Sequence, residues 1–157
     1  MTPSPIRFRC VAFDALTPDA LYAVMRLRSE VFVVEQQCVF LDLDGRDVHA
    51  LHLLGERGDG DVAETLVAYA RLFAPGDCYA EASIGRVVTA PASRGHGTGR
   101  ALMMAAIGEC IARWPAHAIR IGAQRYLERF YASLGFVADG APYVEDGIPH
   151  IEMVRVG

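Results

Sequence analysis

Seven residues, Arg94-Gly95-His96-Gly97-Thr98-Gly99-Arg100, carry the densest chemical signal in this 157-residue chain. They lie between a β-like run, Ser83-Ile84-Gly85-Arg86-Val87-Val88-Thr89, and an apolar helical run, Ala101-Leu102-Met103-Met104-Ala105-Ala106-Ile107. Glycines at alternate positions let the backbone approach a ligand closely, because no Cβ stands in the way. The helix that follows offers unpaired N–H groups and the positive end of its dipole to an anion. A strand, a glycine turn and a helix start together make a phosphate cradle. Arg94 and Arg100 flank it with fixed positive charge suited to phosphate oxygens.

Spacing narrows the kind of phosphate. A P-loop ends in Gly-Lys-Ser/Thr, whereas this turn ends Gly99-Arg100-Ala101. The dinucleotide fingerprint G-x-G-x-x-G needs its third glycine one residue later than Gly99. Arg94-x-x-Gly97-x-Gly99 is the pattern left.

The elements that position this loop follow from periodicity. Residues 6–13 alternate as a first strand. Thr17-Pro18-Asp19 starts a helix, with a capping hydroxyl, a proline in the first turn and an acid near the positive end. Leu21, Val24, Leu27, Val31 and Val34 recur at helical spacing, so this helix runs to about residue 35. Cys38 to Asp47 reads as an acidic loop. Residues 48–54 and 62–73 read as strands joined across Arg57-Gly58-Asp59-Gly60, a hairpin turn signal. Residues 83–89 make the next strand and 97–113 the helix after the cradle, stopped at Trp114-Pro115.

A short buried strand at 118–122 follows, then a helix at 126–134 with Leu127, Phe130, Tyr131 and Leu134 on one face, ended by Gly135. Strands at 136–138 and 151–156 close the chain, with Asp146-Gly147 marking a turn between them. The order β, α, β, β, β, α, β, α, β, β implies an α/β fold with a mixed central sheet. Without repeats, low-complexity tracts or linkers, residues 1–157 read as one domain.

Composition sets outer bounds. No apolar run reaches the length of a membrane span. Met1-Thr2-Pro3-Ser4-Pro5 lacks the basic and apolar regions of a signal peptide. Cys10, Cys38, Cys78 and Cys110 are scattered, with no C-x-x-C pair, as expected of reduced thiols in a cytoplasmic protein with no metal site. A net charge of −4, with no basic patch, argues against nucleic acid. The segment from Asp42 to Asp47 lacks the twelve-residue calcium-loop pattern and reads as a solvated turn whose acids are free to attract a cation.

Arg94-x-x-Gly97-x-Gly99 resembles the acyl-coenzyme A pyrophosphate loop of the GNAT superfamily of N-acetyltransferases, and the order of elements is similar along nearly the whole chain. Phe130-Tyr131-Ala132-Ser133-Leu134-Gly135-Phe136 resembles that superfamily's F-Y-x-x-L-G-F helix. Three further segments resemble its ElaA-type members: Arg28-Ser29-Glu30-Val31-Phe32-Val33-Val34-Glu35-Gln36, Asp42-Leu43-Asp44-Gly45-Arg46-Asp47, and Glu145-Asp146-Gly147-Ile148-Pro149-His150. The first of these is also similar to acyl-homoserine-lactone synthases.

The resemblance implies a sheet splayed between its fourth and fifth strands, with helices on its faces. Pantetheine would enter the splay and pair with Val87, Val88 and Thr89, and the pyrophosphate would rest on Arg94, Gly95, His96, Gly97, Thr98, Gly99 and Arg100. Gln124 would hydrogen-bond the pantetheine, unless it is simply the start of the following helix. The implied reaction moves an acetyl group from acetyl-CoA directly to a primary amine of a small molecule or protein, without a metal.

Such transfer needs an amine stripped of its proton, a polarised thioester carbonyl and a proton for the departing thiolate. The resemblance gives the last role to Tyr131 and an oxyanion contact to a backbone N–H near Val88; the spacing of Tyr131 equally fits a core aromatic. His49, His52, Glu81, Glu145 and His150 are candidate bases, with His150 ranked first and a water chain as the alternative. In a strand at 48–54, His49 and His52 would point to opposite faces. A non-catalytic acyl-CoA sensor and an acyl-homoserine-lactone synthase are the competing readings, and a homodimer is compatible with either.

Overall fold

The computed structural model describes residues 3–58 and 64–157. In chain order its elements are β1 (Arg7–Ala12), α1 (Pro18–Arg28), β2 (Leu51–Arg57), β3 (Thr65–Phe73), β4 (Ala82–Thr89), α2 (Thr98–Arg113), β5 (Ile119–Gln124), α3 (Glu128–Ala132), β6 (Val137–Ala138), β7 (Tyr143–Glu145) and β8 (Ile148–Arg155). One mixed sheet runs β1-β2-β3-β4-β5-β8-β6, with β7 also paired to β8. The first four strands form an antiparallel meander. β4 and β5 are parallel but pair only at Ala82–Ile119 and Ser83–Arg120. Beyond Ser83 they diverge, which is the expected splay.

The two faces of the sheet are covered differently. On one, Leu102, Met103, Ala106, Ile107 and Cys110 of α2 pack against Leu53, Ala68, Ala70, Leu72 and Ile84, the inward-pointing alternates of β2, β3 and β4. On the other, Val24, Leu27 and Val31 cover Leu54, Tyr69 and Val88. Among the described residues no helix is long and apolar enough to cross a membrane.

Several boundaries differ from expectation for identifiable reasons. The first helix does not run as one α-helix to residue 35: α1 ends at Arg28, and Ser29–Glu35 continues as a π-helix. The wider turn breaks the 3.6-residue stripe, so Val31 stays buried while Val34 is 70% exposed. It also brings Glu35 and Gln36 to the central cavity. Residues 48–54 are not one strand, because Asp47–His49 forms a 3-10 turn before β2. His49 is therefore outside any strand and exposed. β7 was not expected. It forms a hairpin with β8 across Asp146-Gly147, whose φ angles of 52° and 77° fit a type I′ turn. Asp59 and Gly60 of the expected β2–β3 turn, and Val62 and Ala63 of the expected next strand, lie outside the described residues.

The largest departure concerns Asp42, Asp44 and Asp47, which are each paired with arginines. Arg28, 0% exposed, donates to Asp42 Oδ2 at 2.8 Å and Asp47 Oδ1 at 2.6 Å. Arg71 donates to both oxygens of Asp44 at 2.8 Å and to Asp47 at 3.0 Å. Arg86 lies 2.8 Å from Asp42 Oδ1. Burial pushes the Asp47 carboxyl up, but the Arg28 hydrogen bond and charge outweigh it and hold the carboxyl below its ordinary value. Asp44 is lowered the same way, with Arg71 as the counterweight to burial. The loop acids are spent on holding the loop, and do not remain free to attract a cation.

A lowered folded pKa stabilises the fold at any pH above the unfolded carboxylate value of about 3.9, and that stability is lost as pH falls through the folded value. Acid unfolding should therefore set in below about pH 4, and Asp44→Asn should flatten that limb. Arg28→Ala removes the fully buried member of the network, and with it one arginine partner each of Asp42 and Asp47, and should cost about 3 kcal/mol in urea unfolding; a loss under about 1 kcal/mol would refute the network's role.

Candidate acyl-transfer site

The splay opens into a cavity of about 1060 Å³. Its walls come from Gly85, Val87, Val88 and Thr89 of β4, Gly122 and Gln124 of β5, Tyr131 of α3, and Tyr143, Glu145 and His150 of the β7–β8 hairpin. The π-helical segment and the acidic loop close it on the side of α1. Beyond Ser83, β4 has no strand partner on the β5 side, so its backbone groups there are available to an extended ligand.

A bulge shapes this edge. Tyr69 pairs with Val88 and Arg71 with Gly85, so β4 carries one residue more than β3 between these rungs. The extra residue falls at Arg86 and Val87, and Arg86 takes φ +48°. A long side chain in left-handed backbone costs free energy. The ion pairs of Arg86 to Asp42 and Asp44 offset that cost and hold the bulge.

The glycine loop sits at the end of β4. Gly95 and Gly97 have φ of +85° and +75°, conformations that suit glycine far better than any residue with a Cβ. Gly97 caps α2 without any side-chain hydrogen bond to the first turn. The Thr98 hydroxyl donates to Ser93 O at 2.7 Å and staples the loop shut behind the helix start. The N–H groups of the first turn are thus left for an anion.

The flanking charges are less free than expected. Arg94 lines the cavity but donates to Glu35 Oε1 at 2.6 Å. Arg100 is turned to Ser133 at 2.7 Å and lies over the Phe130 ring. Val87, Val88, Thr89, Arg94, Gly99, Gln124, Tyr131 and His150 are thus brought to one cavity, whereas Gly95, His96, Gly97, Thr98 and Arg100 lie just outside its wall.

Two of the remaining groups have the right chemistry. Tyr131 is 7% exposed, packed edge-on against Phe130 and Phe136, and its hydroxyl makes no hydrogen bond among the described residues. Burial, with a smaller contribution from Tyr126, pushes the phenol up to about 12, so it stays protonated. His150 places Nδ1 at 2.7 Å from Ile148 O. A carbonyl only accepts, so Nδ1 carries the hydrogen and Nε2 keeps a free lone pair. The ring stacks on Tyr143, with Glu145 Oε2 3.9 Å from Nε2.

The other candidate bases are engaged elsewhere. His52 is fully buried in β2, between the Tyr69 hydroxyl at 2.7 Å and Asp47 O at 2.8 Å, and burial lowers its pKa. It is a core histidine. Glu81 is bound by Arg120 at 3.0 and 3.1 Å. Gln124 is both the last residue of β5 and the cap of the 3-10 turn Arg125–Leu127 that leads into α3, and its amide faces Gln36 at 3.5 Å. Tyr143 was missed from sequence. Its hydroxyl lies where a Cβ on Gly122 would come within 2.9 Å, so the glycine makes room for it.

A family model described as "Acetyltransferase (GNAT) domain" matches residues 61–156. Protein ElaA of Escherichia coli is 42% identical over 152 residues, 96% of either chain. The chain belongs to the GNAT acetyltransferase family. Within it the relationship is to ElaA. The crystal structure of Escherichia coli ElaA matches this fold with a TM-score of 0.86 at 39% identity, over 96% of this chain and 99% of that one. That of an acyl-CoA N-acyltransferase from Pseudomonas aeruginosa gives 0.87 at 38%, with the same coverage. A CoA-dependent acyl-homoserine lactone synthase gives 0.72 at 17% identity, a likeness of fold alone. This GNAT protein is accordingly an acyltransferase with an acyl-CoA co-substrate.

Gly97→Val forces a β-branched residue into left-handed backbone and sets a side chain beside the helix start. It should lower CoA affinity by at least about tenfold in calorimetry, while far-UV circular dichroism stays native. Retained affinity would contradict the cradle.

Proposed function

We propose that the protein is an acetyl-CoA-dependent N-acetyltransferase, a single domain that acetylates a primary amine of a small molecule or protein by direct transfer. The observation that carries this reading is the divergence of β4 and β5 beyond Ser83, with an uncapped helix start at one end and Tyr131 and His150 on the walls. Free Cys10, Cys38, Cys78 and Cys110 fit work in the reducing cytoplasm.

In this reading the pantetheine of acetyl-CoA lies along Val87, Val88 and Thr89, with the Gln124 amide as a further partner. The pyrophosphate meets N–H groups between Arg94 and Arg100, and Arg94 exchanges Glu35 for phosphate. The acceptor arrives as an ammonium, whose pKa near 10 leaves little free amine at neutral pH. His150 Nε2 takes that proton. The amine nitrogen then bonds the thioester carbon, and a backbone N–H near Val88 supports the negative oxygen. Collapse breaks the C–S bond, the Tyr131 hydroxyl gives its proton to the sulfur, and the second proton shed by the amine nitrogen restores that hydroxyl. The proton held by His150 returns to solvent, and products are the acetylamide and CoA thiol.

Thiol release from acetyl-CoA over an amine panel tests the reaction. Stabilisation by acetyl-CoA with no release from any amine would leave only a binding role. Tyr131→Phe should lower kcat by about a hundredfold at unchanged CoA affinity, and unchanged turnover would remove the tyrosine from the mechanism. With the Tyr131 phenol pushed up to about 12, the donor stays protonated through alkaline pH. Loss of the Tyr131 proton should therefore cause no fall in kcat between about pH 8 and 10, read at saturating amine.

A further inference from the structure

The charges on the cavity wall divide unequally between its two ends. Arg46, Arg71, Arg86 and Arg94 all line it. Arg71 is paired with Asp44 and Asp47, Arg86 with Asp42 and Asp44, and Arg94 with Glu35. Arg28, Arg71 and Arg86 cancel the three loop aspartates one for one. Arg46 alone of the cavity-lining arginines has no carboxylate partner among the described residues; its Nη1 lies 2.9 Å from Cys78 Sγ.

Its place in the fold separates Arg46 from the phosphate cradle. Asp44 and Asp47 on either side of it are fixed by Arg71 and Arg28, and its own N–H donates to Asp44 Oδ1 at 3.0 Å. Arg71 sits opposite Gly85, and Phe73 opposite Ser83, at the start of β4. The cradle begins beyond Thr89, about 13 Å of strand past Gly85. A guanidinium on so rigid a platform is preorganised for an anion at the acceptor end.

Negative charge stands on the same wall. Tyr79, next to Cys78, lines the same cavity as Tyr143, Glu145 and Glu152. Glu152 is tied to Arg120. Glu145 and Asp146 have no arginine partner among the described residues and also line the cavity. One cation without a carboxylate partner and two acids without an arginine partner therefore share the cavity wall. A simple diamine would meet the acids but also the repulsion of Arg46. A group with an ammonium and a carboxylate satisfies both.

We infer that the acceptor is an amino-carboxylate whose carboxylate is held by Arg46 while the hairpin acids draw its ammonium towards His150. This rests on the N-acetyltransferase reading above and assigns Arg46 as the specificity-determining residue. Arginine and carboxylate match as a two-pronged, charge-assisted pair.

Thiol release from acetyl-CoA is measured with amino-carboxylates from glycine to aminohexanoate, each against the alkylamine and diamine of equal length. Wild type should favour at least one amino-carboxylate over its alkylamine by about tenfold in kcat/KM. Arg46→Gln should bring that ratio to near unity, and Arg46→Glu should turn the preference to the diamine. A ratio that survives Arg46→Gln, the absence of any amino-carboxylate preference in wild type, or weaker acetyl-CoA binding by Arg46→Gln would overturn the inference. No release from any amine, with acetyl-CoA still stabilising the fold, would instead overturn the acetyl-transfer reading. Arg46 is then judged by thermal shift in saturating CoA, where an amino-carboxylate must stabilise wild type and not Arg46→Gln; any other pattern overturns it.

Discussion

Everything distinctive in this protein follows from two parallel strands that pair for two rungs and then part. A sheet interior does not leave backbone N–H and C=O groups dry and unpartnered, so a gap between β4 and β5 must be filled by water or by a ligand with its own amides. The gap is kept open from both sides. The bulge at Arg86 and Val87 turns β4 aside, and β8 holds β5 along its full length, from Ile119 to Gln124. The glycine loop and α2 begin where β4 ends. The glycine loop and the uncapped helix start thus lie at the end of the same divergence.

Holding the gap falls to a cluster of buried charges. Arg28, Arg71 and Arg86 come from α1, β3 and β4, and all three converge on one short loop. Buried ion pairs add little net stability against apolar replacements, because desolvation of both partners opposes their attraction. Their value here is geometric. Directional bonds to Asp42, Asp44 and Asp47 fix a loop that has few apolar contacts of its own: Val39, Leu41 and Leu43 are 93%, 81% and 51% exposed. The same bonds restrain Arg86 in a backbone conformation it would otherwise leave. Loop and bulge therefore stand or fall together, which couples the roof of the cavity to its floor.

The glycine loop and its helix start were legible in the sequence, and the side chains that other elements bring to the cavity were not. The cradle depends on residues within one loop and the helix after it, so Arg94 to Arg100 and the uncapped start of α2 could be read in place. Tyr131 lies in a local motif and reached the cavity as expected. The acidic loop is the opposite case. Asp44 reads as a solvated turn until Arg71, 27 positions later, is folded against it. The π-helix at Ser29–Glu35 defeated a periodicity argument that assumes 3.6 residues per turn. His52 looked like a candidate base only because Tyr69 and the Asp47 carbonyl, its actual partners, are distant in sequence or hidden in a turn.

This division has a physical origin. An acyl-CoA phosphate and pantetheine present the same acceptors and amides whatever the acyl group, so backbone groups suffice to bind them, and backbone geometry is written locally by glycines and helix starts. An acceptor is recognised by side chains that several elements bring together, and the loop, the hairpin and the β3–β4 connection all line this cavity. Its electrostatic character emerges only after internal pairs are subtracted. Six charges of the loop network cancel, Arg94 takes Glu35, and what remains at the cavity wall is Arg46, with Glu145 and Asp146 elsewhere along the same wall. Net charge along the sequence has the wrong sign for that conclusion at the acidic loop. Asp42 to Asp47 reads as negative, yet with its arginines in place the loop presents a cation. The partnering of each charge, more than its abundance, determines what the cavity can attract.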